Sequence, residues 1–583
     1  MKHLKTHRLA FAFFVAAVWF SSMAFAQTET FESIAFRAMQ DEMNRNLTNL
    51  KLDKLKSPYY ISYLITDANL FSVETQLGAT VKVSDNPVRH QDVAVMVGSH
   101  QRNNLNFMNE NMLFGFYGGS FRIPMTLENN YEAVRRSLWV STDEKYKEAA
   151  EVMEAKLSSI NQQNIPEEEL QLPDFTAIPP LDKIGSSPKI TFDKAKMESL
   201  TKSLSAVFAN YPYLTKSEVN TYIYTADALY LNSEGIRYKV PFSLVGIRIY
   251  AQALATDGEP LSDGLNLYFN TPDQMPTAEV LKQRVHQLAA LLTQLRTAPA
   301  IEESYSGPVM FEGEAVGEVV SQCFVDNPNG LLAGRKALST PALLQRYGNY
   351  VPKENKLERL MDKKVVSREL SVTAIHNQKT YNGTPLVGYY EVDAQGVVPA
   401  PKTVLIEKGI LKALLTNRTP TMRNRQSNGH HVFSISNNTL TGALGAGVIE
   451  LTSSKTQTYT ALKEALIAAA KEEDYEYAYI VRKGVSKPTY MYRISVKDGK
   501  EELVRSSKIT DVSLKSFKRI VGVADTQIVY NTLQNGYFGY AVSGTPASYI
   551  VPQALIFQEL EVEKDKDIVL KKEAVVGSPL VGK

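Results

Sequence analysis

Apolar positions along the chain follow two periods. Between residues 31 and about 50 they recur every three or four positions, which predicts a helix, and at 58–65 (Pro58-Tyr59-Tyr60-Ile61-Ser62-Tyr63-Leu64-Ile65) they switch to the alternation of a half-buried strand. Strand-like runs follow at 70–77, 79–83 and 93–97, and a helix is predicted over 143–160 with Ala150, Val152, Met153 and Leu157 as its inner stripe. Residues 161–185 carry Pro166, Pro173, Pro179 and Pro180 around Glu167-Glu168-Glu169, a composition that resists helix and central strand and reads as a linker. A second unit opens with a helix over 194–208, whose Met197, Leu200, Leu204, Val207 and Phe208 share a face. Strands at 221–224, 228–231 and 243–253 follow, with Asn232-Ser233-Glu234-Gly235 as turn chemistry between two of them. A helix over 277–296 lies between Pro276 and Pro299 and places Leu281, Leu288, Leu292 and Leu295 inward. From 307 onward the pattern is β-rich, with strands at 475–482, 490–496 and 554–562 and a helix over 460–471.

Helices and strands come in blocks rather than in strict alternation, so the expected class is α+β. The expected arrangement is an N-terminal α/β-type domain, with helices on a mainly antiparallel sheet, followed by a large β-rich C-terminal domain. The expected boundaries are 1–26 for a signal peptide, 27–185 for the N-terminal domain and its Pro-rich linker, 186–300 for a central domain and 301–583 for the C-terminal domain. A chain of 583 residues is long enough for about three to four domains.

The first residues set an address. Lys2, Lys5 and Arg8 precede an apolar run over 9–20, and Ala24 and Ala26 offer small side chains to a signal peptidase. Cleavage after Ala26 and export to the periplasm or beyond are expected; no cysteine follows the apolar run, which argues against a lipid anchor. Removing that segment leaves 61 basic against 62 acidic residues, so charge attracts the mature chain to neither nucleic acid nor membrane, and no partner of either kind is expected. The lone cysteine, Cys323, rules out an intramolecular disulfide, so stability must come from burial.

Standard chemical motifs are absent. The mature chain holds His90, His100, His286, His376, His430 and His431 without an H-E-x-x-H or a C-x-x-C, and there is no phosphate loop or G-x-S-x-G elbow. Gly442-Ala443-Leu444-Gly445-Ala446-Gly447 lacks the setting of a dinucleotide site and reads as an ordinary loop. His286 reads as a surface or boundary residue of its helix.

One stretch stands out: Gly307-Pro308-Val309-Met310-Phe311-Glu312-Gly313-Glu314-Ala315-Val316-Gly317-Glu318. It resembles the strand and metal-binding helix of the TldD/PmbA metallopeptidase family, in which G-P-V leads into H-E-A-V-G-H. Collinear segments extend the resemblance: Asn232-Ser233-Glu234-Gly235 is similar to the family's central turn, and residues 388–412, with Gly388, Gly396, Pro399 and Thr403-Val404-Leu405-Ile406-Glu407-Lys408-Gly409, resemble its G-x-x-x-x-D-x-x-G and T-x-L-I-E-x-G-x-L-K core. Asn428-Gly429-His430-His431 falls where the family often has a glycine and two arginines. The resemblance is weak before Lys194 and strongest from Gly307 to about Ile528.

The resemblance implies that active members hold zinc through two motif histidines and a C-terminal cysteine, while the motif glutamate activates water. Gly313 and Glu318 stand at the two histidine positions, Cys323 lies close behind the motif, and Glu314 alone remains as a vestigial general base. No cofactor and no metal are therefore expected in this chain. Three further readings stay open. Glu314 and Glu318, four apart on a helix, could hold Ca²⁺ or Mg²⁺ with further oxygens. Glu318, Cys323 and His430 or His431 could converge as a rebuilt metal site in a residual hydrolase. The helix could also be kept for packing, its glutamates solvated or paired with a base such as Arg335. His430 and His431 read as groove donors or, more simply, surface loop residues, and Met422-Arg423-Asn424-Arg425 as a carboxylate fork or a solvated basic turn. The family pattern further implies a dimer with a homologous zinc-bearing subunit, or with itself, acting on unfolded peptides; a homodimeric peptide-binding scaffold without a hydrolytic role is the alternative.

Overall fold

The computed structural model describes residues 29–583 apart from 53–54, 114–124, 186–189, 437, 536–541, 573–575 and 581–583. The expected leader over residues 1–26, with its expected cleavage after Ala26, lies outside the described residues. No described helix is long and apolar enough to cross a membrane.

The first half is built on one sheet. β1 (Pro58–Gln76) and β2 (Ala79–Val97) form one long hairpin, its register shifting only near the two ends, at Pro58/Tyr60 and Glu74/Thr75, where the sequence pattern gave only fragments. The fragments arise because Asp67 and Asn69 on β1, and Ser84 to Pro87 on β2, interrupt the apolar alternation while the backbone stays extended. β3 (Leu181–Ile184), β4 (Leu214–Asn232) and β5 (Ile236–Leu254) complete the order β2-β1-β4-β5-β3, with β6 (Pro260–Phe269) also paired to β5. All neighbours are antiparallel except β3 and β5. Segments 27–185 and 186–300 thus share a sheet, and the turn at Asn232 to Gly235 joins β4 to β5, its Asn232 side chain accepting from the backbone N–H of Glu234 and of Ile236, each at 3.0 Å.

Helices cover one face. α1 (Phe31–Asn49) is capped by Thr30, and α2 (Tyr131–Gln162) by Asn130, which starts the helix a dozen residues before the expected 143. Together they bury Ala38, Met39, Leu138 and Tyr146 on Ile61, Tyr63 and Val95. α3 (Lys194–Ala206) and α4 (Ala278–Leu295) cover the other half of that face, where Leu281, Leu288 and Leu292 meet Ile247 and Ile249. The opposite face is aromatic: Tyr222, Tyr224, Tyr230 and Tyr238 pack against Val387, Val392, Phe433 and Ile435 from the C-terminal half.

That half contains two larger sheets. One carries β7 (Tyr305–Glu312), β11 (Tyr477–Lys483), β12 (Tyr490–Ser495) and β15 (Ala554–Lys564). The other carries β8 (Leu370–Ile375), β9 (Lys402–Glu407), β10 (Val448–Ser453), β14 (Thr545–Pro552) and, as its outer strand, β13 (Gln527–Gln534). α5 (Glu314–Phe324) lies between them: Val316, Val319, Val320 and Phe324 meet Val309 and Phe311 of the first sheet and Val372, Ile449 and Tyr549 of the second. Alternation along β7 sends Met310 to the far side, where α6 (Tyr459–Glu472) covers it with Leu462 and Leu466. The molecule is α+β, as the blocks of pattern imply. One expectation is corrected: Gly442 to Leu444 belong to a strand, Thr439–Leu444, rather than a loop, because they pair with His431 to Phe433.

Candidate functional site

Where β7 ends, the chain turns at Gly313 into α5. Gly313 has φ 61° and ψ −132°, a conformation that side-chain-bearing residues rarely adopt, and its N–H donates to the Gln553 carbonyl at 2.8 Å. A Cβ built there would meet nothing within 4 Å, so the space beside the glycine is open. The next carboxylates point to separate partners. Glu314 forms an ion pair with Arg284 of α4 at 3.4 Å. Glu318 accepts the Gly484 N–H at 2.6 Å, at the turn that follows β11. Glu318 keeps some surface exposure, yet burial among its neighbours pushes its carboxyl up to about 7, with Glu314 and Asp263 adding to the rise against the Gly484 N–H and Lys483.

The surroundings are drawn from distant parts of the chain. Asp263 of β6 pairs with Lys483 at 2.8 Å and accepts the Tyr490 hydroxyl, whose pKa burial and Asp263 drive upward. Lys483 also donates to the Gly264 carbonyl at 2.7 Å. The base of the Tyr530 side chain, on β13, packs on Gly317 so closely that a Cβ at Gly317 would stand 2.3 Å from it. Glu312, at the end of β7, accepts from Arg482 and Tyr459. Asp263, Lys483, Tyr490, Tyr530 and Arg284 had no signal in the linear sequence, apart from the turn glycine at 484.

Other expected site residues are elsewhere. Cys323 is buried among the apolar residues of α5, and burial pushes its thiol up to about 12. His430 is fully buried, its ring 4.7 Å from that of His376 and its Nδ1 2.8 Å from the Asn428 Oδ1; burial and the neighbouring His376 keep it neutral far below its usual range. His431 opens a strand and is pushed by burial to about 4. Neither histidine is the surface loop residue expected from the sequence: His430 is buried just before the strand, its N–H donating to the Thr416 carbonyl at 3.0 Å, and His431 pairs with Leu444 in the ladder. A site joining Glu318, Cys323 and these histidines is also overturned: each has its own surroundings, and among the described residues no group of three or more His, Cys, Asp or Glu side chains could hold a metal ion. Arg335 does not pair with the motif glutamates; it binds Asp174 at 3.1 Å. His286 is exposed beside the Tyr211 hydroxyl at 3.1 Å, as expected. Arg423 and Arg425 are exposed on a turn held by Glu358, which takes the Arg423 N–H at 3.0 Å and the Asn424 amide at 2.9 Å.

The donor set does not fit zinc, which prefers nitrogen and sulfur ligands converging in a tetrahedron. The corner offers a side-chain-free glycine and two carboxylates, each engaged in its own direction. Nor do Glu314 and Glu318 converge as a Ca²⁺ or Mg²⁺ cradle, since their carboxylates serve Arg284 and the Gly484 N–H.

Residues 304–563, which span this strand, helix and both sheets, match the family described as the PmbA/TldA metallopeptidase C-terminal domain. Over those residues the chain carries a domain of the TldD/PmbA type. No curated protein matches it. The chain as a whole shares its fold with a candidate modulator of a DNA gyrase from Thermotoga maritima, at 13% identity and a TM-score of 0.56, over 92% of this chain and 100% of the other. TldE from Thermococcus kodakarensis is similar at 11% identity and a TM-score of 0.54, over 90% and 99% of the two chains. A candidate modulator of DNA gyrase from Bacteroides thetaiotaomicron follows at 10% and 0.53, over 92% and 99%. At these identities the likeness concerns the fold alone.

Proposed function

We propose that this TldD/PmbA-family homologue is an exported, metal-less subunit that assists a zinc-bearing homologue in the hydrolysis of unfolded peptides. The observation that carries the reading is the corner at Gly313, Glu314 and Glu318. A general base acting on water still needs a group to stabilise the oxyanion of the tetrahedral intermediate, a contribution worth several kcal/mol. Arg284, Arg482 and Lys483, the cations described at this corner, are each committed to a carboxylate. In this reading Glu314 is vestigial, and Gly313 and Glu318 occupy former ligand positions. Peptide handling would use strand addition, which reads backbone rather than sequence, and the outer strand β13 touches α5 through Tyr530. Export rests on the leader, with cleavage after Ala26 and a periplasmic or secreted product.

The test is metal content together with peptide hydrolysis, measured with and without an H-E-x-x-x-H homologue from the same cell. The expected result is no stoichiometric zinc after dialysis, no hydrolysis alone, co-purification with the homologue and faster cleavage by the pair. Stoichiometric zinc with chelator-sensitive hydrolysis by the purified chain would overturn the reading. A homodimer that leaves the homologue's activity unchanged would establish the scaffold alternative instead.

A further inference from the structure

A cavity of about 390 Å³ opens between β5 and the C-terminal half, at the small end of the roughly 300–1,000 Å³ range of ligand pockets. Its apolar wall includes Phe242 of β5 and Phe433 of the strand His431–Ser436, whose rings meet edge to face at 6.3 Å, together with Val387 and Val392. Its polar lining is cationic. Lys239 is committed to Glu32 at 2.7 Å and Asp227 at 3.6 Å. Lys183 and Lys379 share one carboxylate, Glu391, at 2.6 and 3.5 Å. They are 40% and 68% exposed, so both can reach a second anion. Tyr389 fixes the group by donating to Glu391 at 3.1 Å while Lys379 lies 5.1 Å over its ring. Two ammonium groups against one carboxylate leave a positive charge unanswered beside an apolar wall.

We infer that this cavity binds an apolar group bearing a carboxylate, the carboxylate between Lys183 and Lys379 and the apolar body against Phe242 and Phe433. Such chemistry comes from a free hydrophobic acid or from the last residue of a peptide. The inference goes beyond the proposed function, since it concerns a cavity whose lining includes none of Gly313, Glu314 and Glu318 and requires no hydrolysis by a partner.

Calorimetric titration of the full chain with N-acetyl-Ala-Phe, its C-terminal amide and 3-phenylpropionate tests it. The acid is expected to bind about fivefold more tightly than the amide, the fold-change of an exposed ion pair. That difference should vanish in the Lys183→Gln/Lys379→Gln double variant and shrink as salt rises from about 50 to about 500 mM, where screening shortens to a few ångströms. Phe242→Ala should weaken acid and amide alike. Phenylpropionate binding as well as the acid peptide would assign the cavity to free acids, whereas binding of the acid peptide alone would assign it to peptide ends. Equal binding of acid and amide, or no binding of any probe at millimolar concentration, would overturn the inference. The two lysines are exposed, so the double variant should keep the fold, which circular dichroism checks, and the salt series reads the same charge without any substitution.

Discussion

Asp174 offers the sharpest test of how the halves are held. It comes from the Pro-rich stretch, is 0% exposed, and binds Lys156 of α2, also 0% exposed, at 2.6 Å. Its second oxygen takes Arg335 from the C-terminal half at 3.1 Å, while the Asn103 N–H donates at 2.9 Å to the oxygen that holds Lys156. Burial lowers the Lys156 pKa to about 8, with Asp174 opposing the fall, so the ammonium is still charged at pH 7. Asp174→Asn keeps the shape but removes the counter-charge from the fully buried Lys156 and the partly buried Arg335. Lys156 would retain only neutral acceptors, the Asn103 and Leu105 carbonyls at 2.9 and 2.5 Å and at most the new amide oxygen. Breaking a buried pair in this way costs about 3–5 kcal/mol, because the surviving charge is left without compensation. Urea unfolding followed by far-ultraviolet circular dichroism at pH 7 should show that loss. Adding Lys156→Met to the variant should recover part of it, since the orphaned ammonium goes too. A loss below about 1 kcal/mol, or no recovery in the double variant, would refute the claim that a desolvated charge is the source of the cost.

Three further outcomes follow from the same geometry. Glu318 has a folded pKa near 7 against an ordinary 4.5, so ionising it opposes folding: the penalty is absent below the ordinary value, grows as pH rises to about 7 and stays full above. Glu318→Gln should therefore raise the melting temperature at pH 8, by the equivalent of about 2 kcal/mol after allowance for residual exposure, and change little at pH 4; an equal shift at both would sink this account. Gly317→Ala sets a helix-propensity gain of about 1 kcal/mol against a Cβ 2.3 Å from Tyr530, and overpacking should win, lowering stability by about 1–3 kcal/mol in thermal unfolding. Arg418 is fully buried, donates to Glu234 at 2.5 Å and to the Thr176 carbonyl at 2.8 Å, and lies 3.9 Å over Phe175; Arg418→Met should cost about 3 kcal/mol, read by the urea midpoint.

Much of the frame was legible because local signals decide it. The helix α4 runs Ala278–Leu295 against an expected 277–296, since Thr277 caps it and the Leu stripe is regular. The start of α2 was missed although Asn130 is a cap, because Arg135, Arg136 and Trp139 obscure the stripe that Val134 and Leu138 begin. The strand-to-helix step at Gly313 was legible from the motif. Its company was not: Asp263, Lys483 and Tyr530 come from strands of three different sheets, far apart in the chain, and no local period encodes their meeting. Arg335 went to Asp174 for the same reason, a buried carboxylate offering a stronger partner than an exposed one.

The aromatic face of the first sheet has a consequence for inheritance as well as for folding. Tyr222, Tyr224, Tyr230 and Tyr238 are sealed by Val387, Val392, Phe433 and Ile435, so severing the chain near residue 300 would not release two autonomous bodies. Each fragment would carry a sticky wound, and the pieces should clump unless expressed together, which ties both halves to a single reading frame.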